Sequence, residues 1–135
     1  MKNYLGIILV TAFLLSCATI QLKPYKQALV EATAQKWTSG ARGGDRGVTF
    51  RLKFYKLQEL KADTLLVNNT PMGTEITKVG DTLYVTSFVH VPQDAPMPKL
   101  IRDTTFSGYL NVFVKNENHL LNIKSFKQIP TTLYP

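Results

Sequence analysis

A chain of 135 residues with 44% hydrophobic side chains is sized for one domain with its own core, which excludes a disordered tail. Sixteen Lys and Arg against nine Asp and Glu leave a formal net charge of +7, and a single cysteine excludes a disulfide framework within the chain. Stability must therefore come from packing, and the basic balance points towards anionic partners or surfaces.

The first residues have the three parts of an export signal. Lys2 supplies positive charge, Leu5 to Leu15 is an apolar run broken by Gly6 and Thr11, and the small Ser16 follows. The run spans about 17 Å as a helix against roughly 30 Å of bilayer hydrocarbon, too short for a membrane span. Leu14-Leu15-Ser16-Cys17 closely resembles the bacterial lipoprotein motif, in which the cysteine sulfur takes up diacylglycerol after cleavage. That resemblance implies residues 1–16 as a signal helix, lipidation at Cys17, and a bilayer held through acyl chains. Two or more chains anchor stably where one holds marginally. Under lipoprotein sorting rules, Ala18 implies the outer membrane of the cell envelope. Cleavage leaves 119 residues at +6, since Lys2 leaves with the signal.

Residues 17–26 read as a tether, because Pro24 and mixed polar residues argue against a helix there. Residues 27–135 read as a single domain. Gln27 to Trp37 alternates with period two and is expected to be a strand. Residues 40–47 form a glycine-rich connection. Val48 to Leu57 is the clearest strand: Val48, Phe50, Leu52 and Phe54 share one face and Thr49, Arg51, Lys53 and Tyr55 the other. Short strands are expected at Thr64 to Val67, ended by Asn68-Asn69-Thr70-Pro71, and at Thr74 to Lys78, then a Gly80-Asp81 turn into a central strand, Thr82 to Val91. Three prolines make Pro92 to Asp103 a long loop. Phe106 to Lys115 and His119 to Phe126 form a hairpin turning at Asn116-Glu117-Asn118, and Ile129 to Pro135 is extended. The fold expected is all-β: an antiparallel sandwich, Ig-like, or a small barrel of about seven strands. Trp37 is expected to pack in or cap its core.

Few residues point to chemistry. The glycine loop lacks the spacing of a P-loop or a dinucleotide fingerprint. Its Arg42 and Arg46, with Arg51 and Lys53 on the adjoining strand, are the candidates for contact with an anion or partner. The window from Lys36 to Lys61 holds seven basic and two acidic residues. Such a face suits an anionic membrane, glycan or protein; an exported chain is not expected to meet nucleic acid. His90 and His119 stand in no metal-ligand spacing, so no metal or cofactor is expected. Asp63-Thr64-Leu65 and Asp81-Thr82-Leu83 repeat one string, whose plain meaning is a turn and a strand start. The string also resembles an O-glycosylation signal used on exported proteins in some bacterial lineages, which would place sugars on Thr64 and Thr82.

The lipobox, the Trp37-to-Gly47 loop, the amphipathic strand after it, the Gly80-Asp81 turn and the closing Ile123-Lys124-Ser125-Phe126…Tyr134-Pro135 occur together. In combination they resemble a group of small, uncharacterised bacterial lipoproteins with one all-β domain. The resemblance brings no catalytic residues. The function expected is non-enzymatic: a membrane-anchored binding or structural module of the envelope. The alternative is an envelope hydrolase assembled from dispersed residues around His90 or His119.

Overall fold

The computed structural model describes residues 22–40 and 44–134; the signal, Cys17 and Arg42 lie outside them. Helix α1 (residues 22–28) leads into β1 (Leu29–Ser39), β2 (Arg46–Tyr55), β3 (Ala62–Val67), β4 (Thr70–Gly73), β5 (Glu75–Val79) and β6 (Thr82–Val91). The one-turn helix α2 (Lys99–Arg102) precedes β7 (Gly108–Val114), β8 (Glu117–Ile123) and β9 (Lys127–Tyr134). Sheet A has the order β5-β6-β2-β1-β9 and sheet B the order β4-β3-β7-β8. The all-β sandwich is therefore what the chain builds, with nine strands among the described residues rather than about seven. Each sheet ends in two edge strands, so there is no closed barrel.

Alternation builds the core. Val48, Phe50, Leu52 and Phe54 on β2 and Val85 on β6 face Leu65, Val67, Leu110, Val112 and Leu121 of sheet B, all fully buried. Burying each such side chain contributes roughly 1.5–3 kcal/mol. Phe50 meets Phe106 and Phe126 edge-on, with ring centroids 5.2 and 5.3 Å apart. Ser87 also points inward, and its hydroxyl donates to the Gly73 carbonyl at 2.8 Å, which satisfies a buried polar group. Leu100 and Ile101 of α2 are buried within the segment expected to be only loop.

Three tight hairpins set the register. Asn68-Asn69 and Lys115-Asn116 both adopt left-handed backbone, with φ of 47°, 66°, 51° and 64°, and Gly80 has φ 59°. Left-handed pairs match the twist of two-residue hairpins, and Asn tolerates that conformation better than most residues. The second turn thus lies one residue earlier than its asparagines suggest, and β8 begins at Glu117.

Three further departures have physical causes. Residues 22–28 are helical, not an extended tether, because Pro24 sits near the start of the described helix, where a missing N–H is tolerated. Ala28 is buried and Tyr25 packs on the core, so the folded unit reaches back before residue 27. Pro71 does not end the sheet but lies in the four-residue edge strand β4, where a lost donor is tolerated. Finally, β9 pairs parallel to β1, from Thr33↔Lys127 to Ser39↔Tyr134.

Candidate functional site

The strands of the two sheets divide the basic charge unevenly. β3, β4, β7 and β8 contain no Lys or Arg at all. The strands of sheet A hold Lys36, Arg46, Arg51, Lys53, Lys78 and Lys127.

Side-chain parity then splits that set. Arg51 and Lys53 lie on the outer face of sheet A, opposite the buried Phe50, Leu52 and Phe54. Arg51 pairs with Thr33 and Thr86, and Lys53 with Glu31 and Tyr84. Arg46 has the parity of Val48 and Phe50, so it points towards the space between the sheets. Its Nε is enclosed with no hydrogen-bond partner among the described residues. Lys36 also points inward, donating to the Asp103 carbonyl at 2.9 Å and lying 5.9 Å from the Phe106 ring centroid. The described part of the basic window on β1 and β2 is thus split between the two faces of sheet A, and of the described candidate contacts, Arg46, Arg51 and Lys53, the last two sit side by side on the outer face.

Aromatic rings share that surface. Phe88 is 62% and Tyr55 47% exposed, and Tyr84 is half-buried beneath Arg51, whose guanidinium lies 5.7 Å from its ring centroid. Lys56 sits 5.4 Å from the Tyr55 ring centroid. Trp37 does not enter the core. It shares its face with Thr33 and Gln35, and its indole lies over Gly47, where an added Cβ would come within 2.3 Å of the ring. Its plane stacks on His90, with centroids 5.8 Å apart and an 8° tilt.

His90 in turn meets Asp45 in the glycine loop: Nε2 and Oδ2 are 2.8 Å apart. The Gln93 amide donates to the other carboxylate oxygen at 3.0 Å. The hydrogen bond from His90, followed by that from the Gln93 amide, holds the Asp45 carboxyl below its ordinary pKa. Both side chains are about half exposed. The pair fastens the loop to the end of β6; as chemistry it is a histidine oriented by an acid, with no hydroxyl or thiol nucleophile bonded to it among the described contacts. His119 differs. Its Nε2 is 3.8 Å from Glu117, beyond hydrogen-bond range, and is enclosed without a hydrogen-bond partner among the described residues.

Thr64 and Thr82 lie on strands, partly exposed. Thr64 is inside β3 between Gly73 and Asn111, and Thr82 opens β6 after Gly80-Asp81. Asp81 closes a turn as its string suggests, whereas Asp63 lies within β3 and accepts from the Asn111 amide at 3.0 Å. Two clefts flank α1. One of about 490 Å³ lies between Lys26 to Ala32 and Leu121 to Ser125, and another of about 320 Å³ between Tyr25 and the β7–β8 turn. Among the described residues no three His, Cys, Asp or Glu side chains gather as a metal site. No protein-family model and no curated protein matches the chain.

Proposed function

We propose that the protein is a lipid-anchored envelope lipoprotein acting as a non-enzymatic binding module, with the outer face of sheet A as its binding surface. One observation carries the choice of face: Arg51 and Lys53 stand together among exposed aromatic rings, while the strands of the opposite sheet hold no cation. The anchor rests on Leu14-Leu15-Ser16-Cys17. With α1 at the lipid end, β1 leads away from it, and Trp37 stands about 27 Å further along the strand than Leu29. The face then extends outward from the bilayer, open to an anionic partner in the envelope.

Two experiments test this. Cys17→Ser moves the protein from the membrane to the soluble fraction; retention of that variant at the membrane overturns the anchor. Arg51→Ala with Lys53→Ala weakens association with anionic envelope components, most at low salt, where charge is least screened. Unchanged association overturns the binding face.

A hydrolase is the second reading, supported by the 2.8 Å contact of His90 with Asp45 alone. Its mark is turnover of ester or phosphate substrates by the full-length protein that His90→Gln abolishes. Turnover that survives the substitution removes it.

A further inference from the structure

We infer that the outer face of sheet A binds an acidic polysaccharide of low charge density, with a sugar ring on Phe88 and carboxylates on Arg51 and Lys53. The inference rests on the binding-module reading above and names the class of its partner.

The register places these groups in order. On β6, Tyr84, Thr86 and Phe88 point to the same side, and successive members are about 6.8 Å apart. Beside them on β2, Lys53 pairs with Tyr84, Arg51 with Thr86 and Thr49 with Phe88. The exposed Phe88 ring therefore stands at one end of this row, with Arg51, stacked over Tyr84, and then Lys53 following on the neighbouring strand. The open face of the Phe88 ring carries negative potential and receives the slightly positive C–H face of a pyranose; the guanidinium and ammonium on the neighbouring strand receive carboxylates. Thr49 and Thr86 flank Arg51 and the foot of Phe88 with partly exposed hydroxyls, which suit sugar hydroxyls.

Charge density decides against the rival polyanions. Arg51, Lys53 and Lys127 share this face with Glu31 and Glu75, which leaves a net charge near +1. A nucleic-acid strand presents a phosphate at every nucleotide and is held by many cations at once. An anionic membrane surface likewise favours clusters of four or more basic residues. Glu31, directly opposite Lys53, and Glu75, next to Thr86, would repel either. A chain with one carboxylate in every two or so sugars meets two cations and little repulsion. A protein partner would seek a continuous apolar centre, whereas Phe88 is ringed by Thr49, Thr86 and His90.

The test uses the full-length protein in detergent micelles. The probes are oligosaccharides of hyaluronan and unsulfated chondroitin, with neutral chitin oligomers, heparin and oligothymidylate as comparators. At least one uronate oligomer binds more tightly than the neutral and the densely charged probes. Phe88→Ala weakens that binding about tenfold at any salt concentration. Arg51→Gln weakens it and reduces its salt dependence. Phe88 is solvent-exposed, so its removal leaves the fold in place, checked by unchanged thermal unfolding. Binding to none of the uronates, tightest binding to heparin or oligothymidylate, or indifference to Phe88→Ala overturns the inference. Salt-sensitive association with native envelope that persists beside a failed uronate screen overturns only the polysaccharide and leaves the binding face standing.

Discussion

The outer faces of the two sheets are built on the same alternation and finish differently. Sheet B turns Thr64, Leu66, Tyr109, Asn111, Leu120 and Asn122 outward, with Asp63 bonded to Asn111 and no Lys or Arg on its strands. Sheet A turns out Arg51, Lys53, Lys127, Glu31 and Glu75 among Tyr55, Tyr84 and Phe88. Both cover the same core, so the fold does not require the difference. A solvated sheet face tolerates most residues at little cost, and surface changes usually stay within about 0.5 kcal/mol. Cations gathered beside several rings on one face are therefore the best place to look for recognition, and four experiments break or sharpen the contrast.

The largest expected effect lies in sheet B. Gly108 pairs with Val67, and an added Cβ would fall 1.7 Å from the Leu66 carbonyl oxygen, a backbone atom with no room to yield. Gly108→Ala should cost more than about 3 kcal/mol, on the scale of severe core overpacking, and shift the unfolding midpoint accordingly. Gly47 is its counterpart in sheet A. There an added Cβ meets the Trp37 ring at 2.3 Å and the Val89 carbonyl at 2.4 Å. Gly47→Ala should lift the indole off the sheet as well as destabilise. Trp37 is the only tryptophan, so its emission reports the displacement directly. An unchanged spectrum would mean that the ring does not lie on Gly47.

Next comes the clamp between sheet B and the α2 segment. The Asn68 amide donates to the Asp103 carboxylate and to the Thr105 carbonyl, both at 2.9 Å, and its oxygen accepts from Ser107 N at 3.1 Å. Asn68 also tolerates φ 47° in the turn. Asn68→Ala loses these bonds and the tolerance together, and should cost about 1–3 kcal/mol in denaturant unfolding. A smaller loss would show that α2 and its flanks are held by Leu100 and Ile101 alone.

Smaller still in stability is the charge on sheet A. Arg51→Ala with Lys53→Ala should leave unfolding within about 0.5 kcal/mol and still reduce partner association. Leu120→Lys with Asn122→Lys, which gives sheet B two cations beside Tyr109 but without the rings of sheet A, should not restore it. Restoration would mean that charge alone recruits the partner and that the aromatic residues of sheet A are incidental.

How much of this was legible in the sequence depends on the range of the interaction. β2 and β6 follow from period-two patterning, because alternation is local. The split of Arg46 from Arg51 was legible too: Arg46 shares parity with Phe50, and grouping by window rather than parity hid it. The same count puts Trp37 with Thr33 and Gln35, outside the core. Pro24 and Pro71 misled, since a proline breaks an interior turn or strand but not a helix start or an edge strand. The parallel β1–β9 pairing and the His90–Asp45 contact join residues far apart in the chain, and no local pattern announces them.

The smallest effect separates the two carboxylates that the fold holds below their ordinary pKa. Asp103 is held down by the Asn68 amide first and then by Lys99, and Asp45 by His90 and then the Gln93 amide. A carboxylate with a depressed folded-state pKa contributes stability that is complete above its unfolded value, near 3.9, and is lost as pH falls below that value through the folded one. Both contributions should therefore fade below about pH 4. Their reporters differ. Asp45 reaches Trp37 through the stacked His90, so protonating it should change tryptophan emission while circular dichroism still reads folded β-sheet. Asp103 fastens the α2 segment to the turn of sheet B, and its protonation should appear only in global unfolding. Asp45→Asn should abolish the early emission change and leave the acid unfolding limb nearly in place, whereas Asp103→Asn should flatten that limb and spare the emission change. If the emission change survives in Asp45→Asn, the glycine loop is not coupled to Trp37 through His90, and that end of sheet A is a passive rim of the binding face.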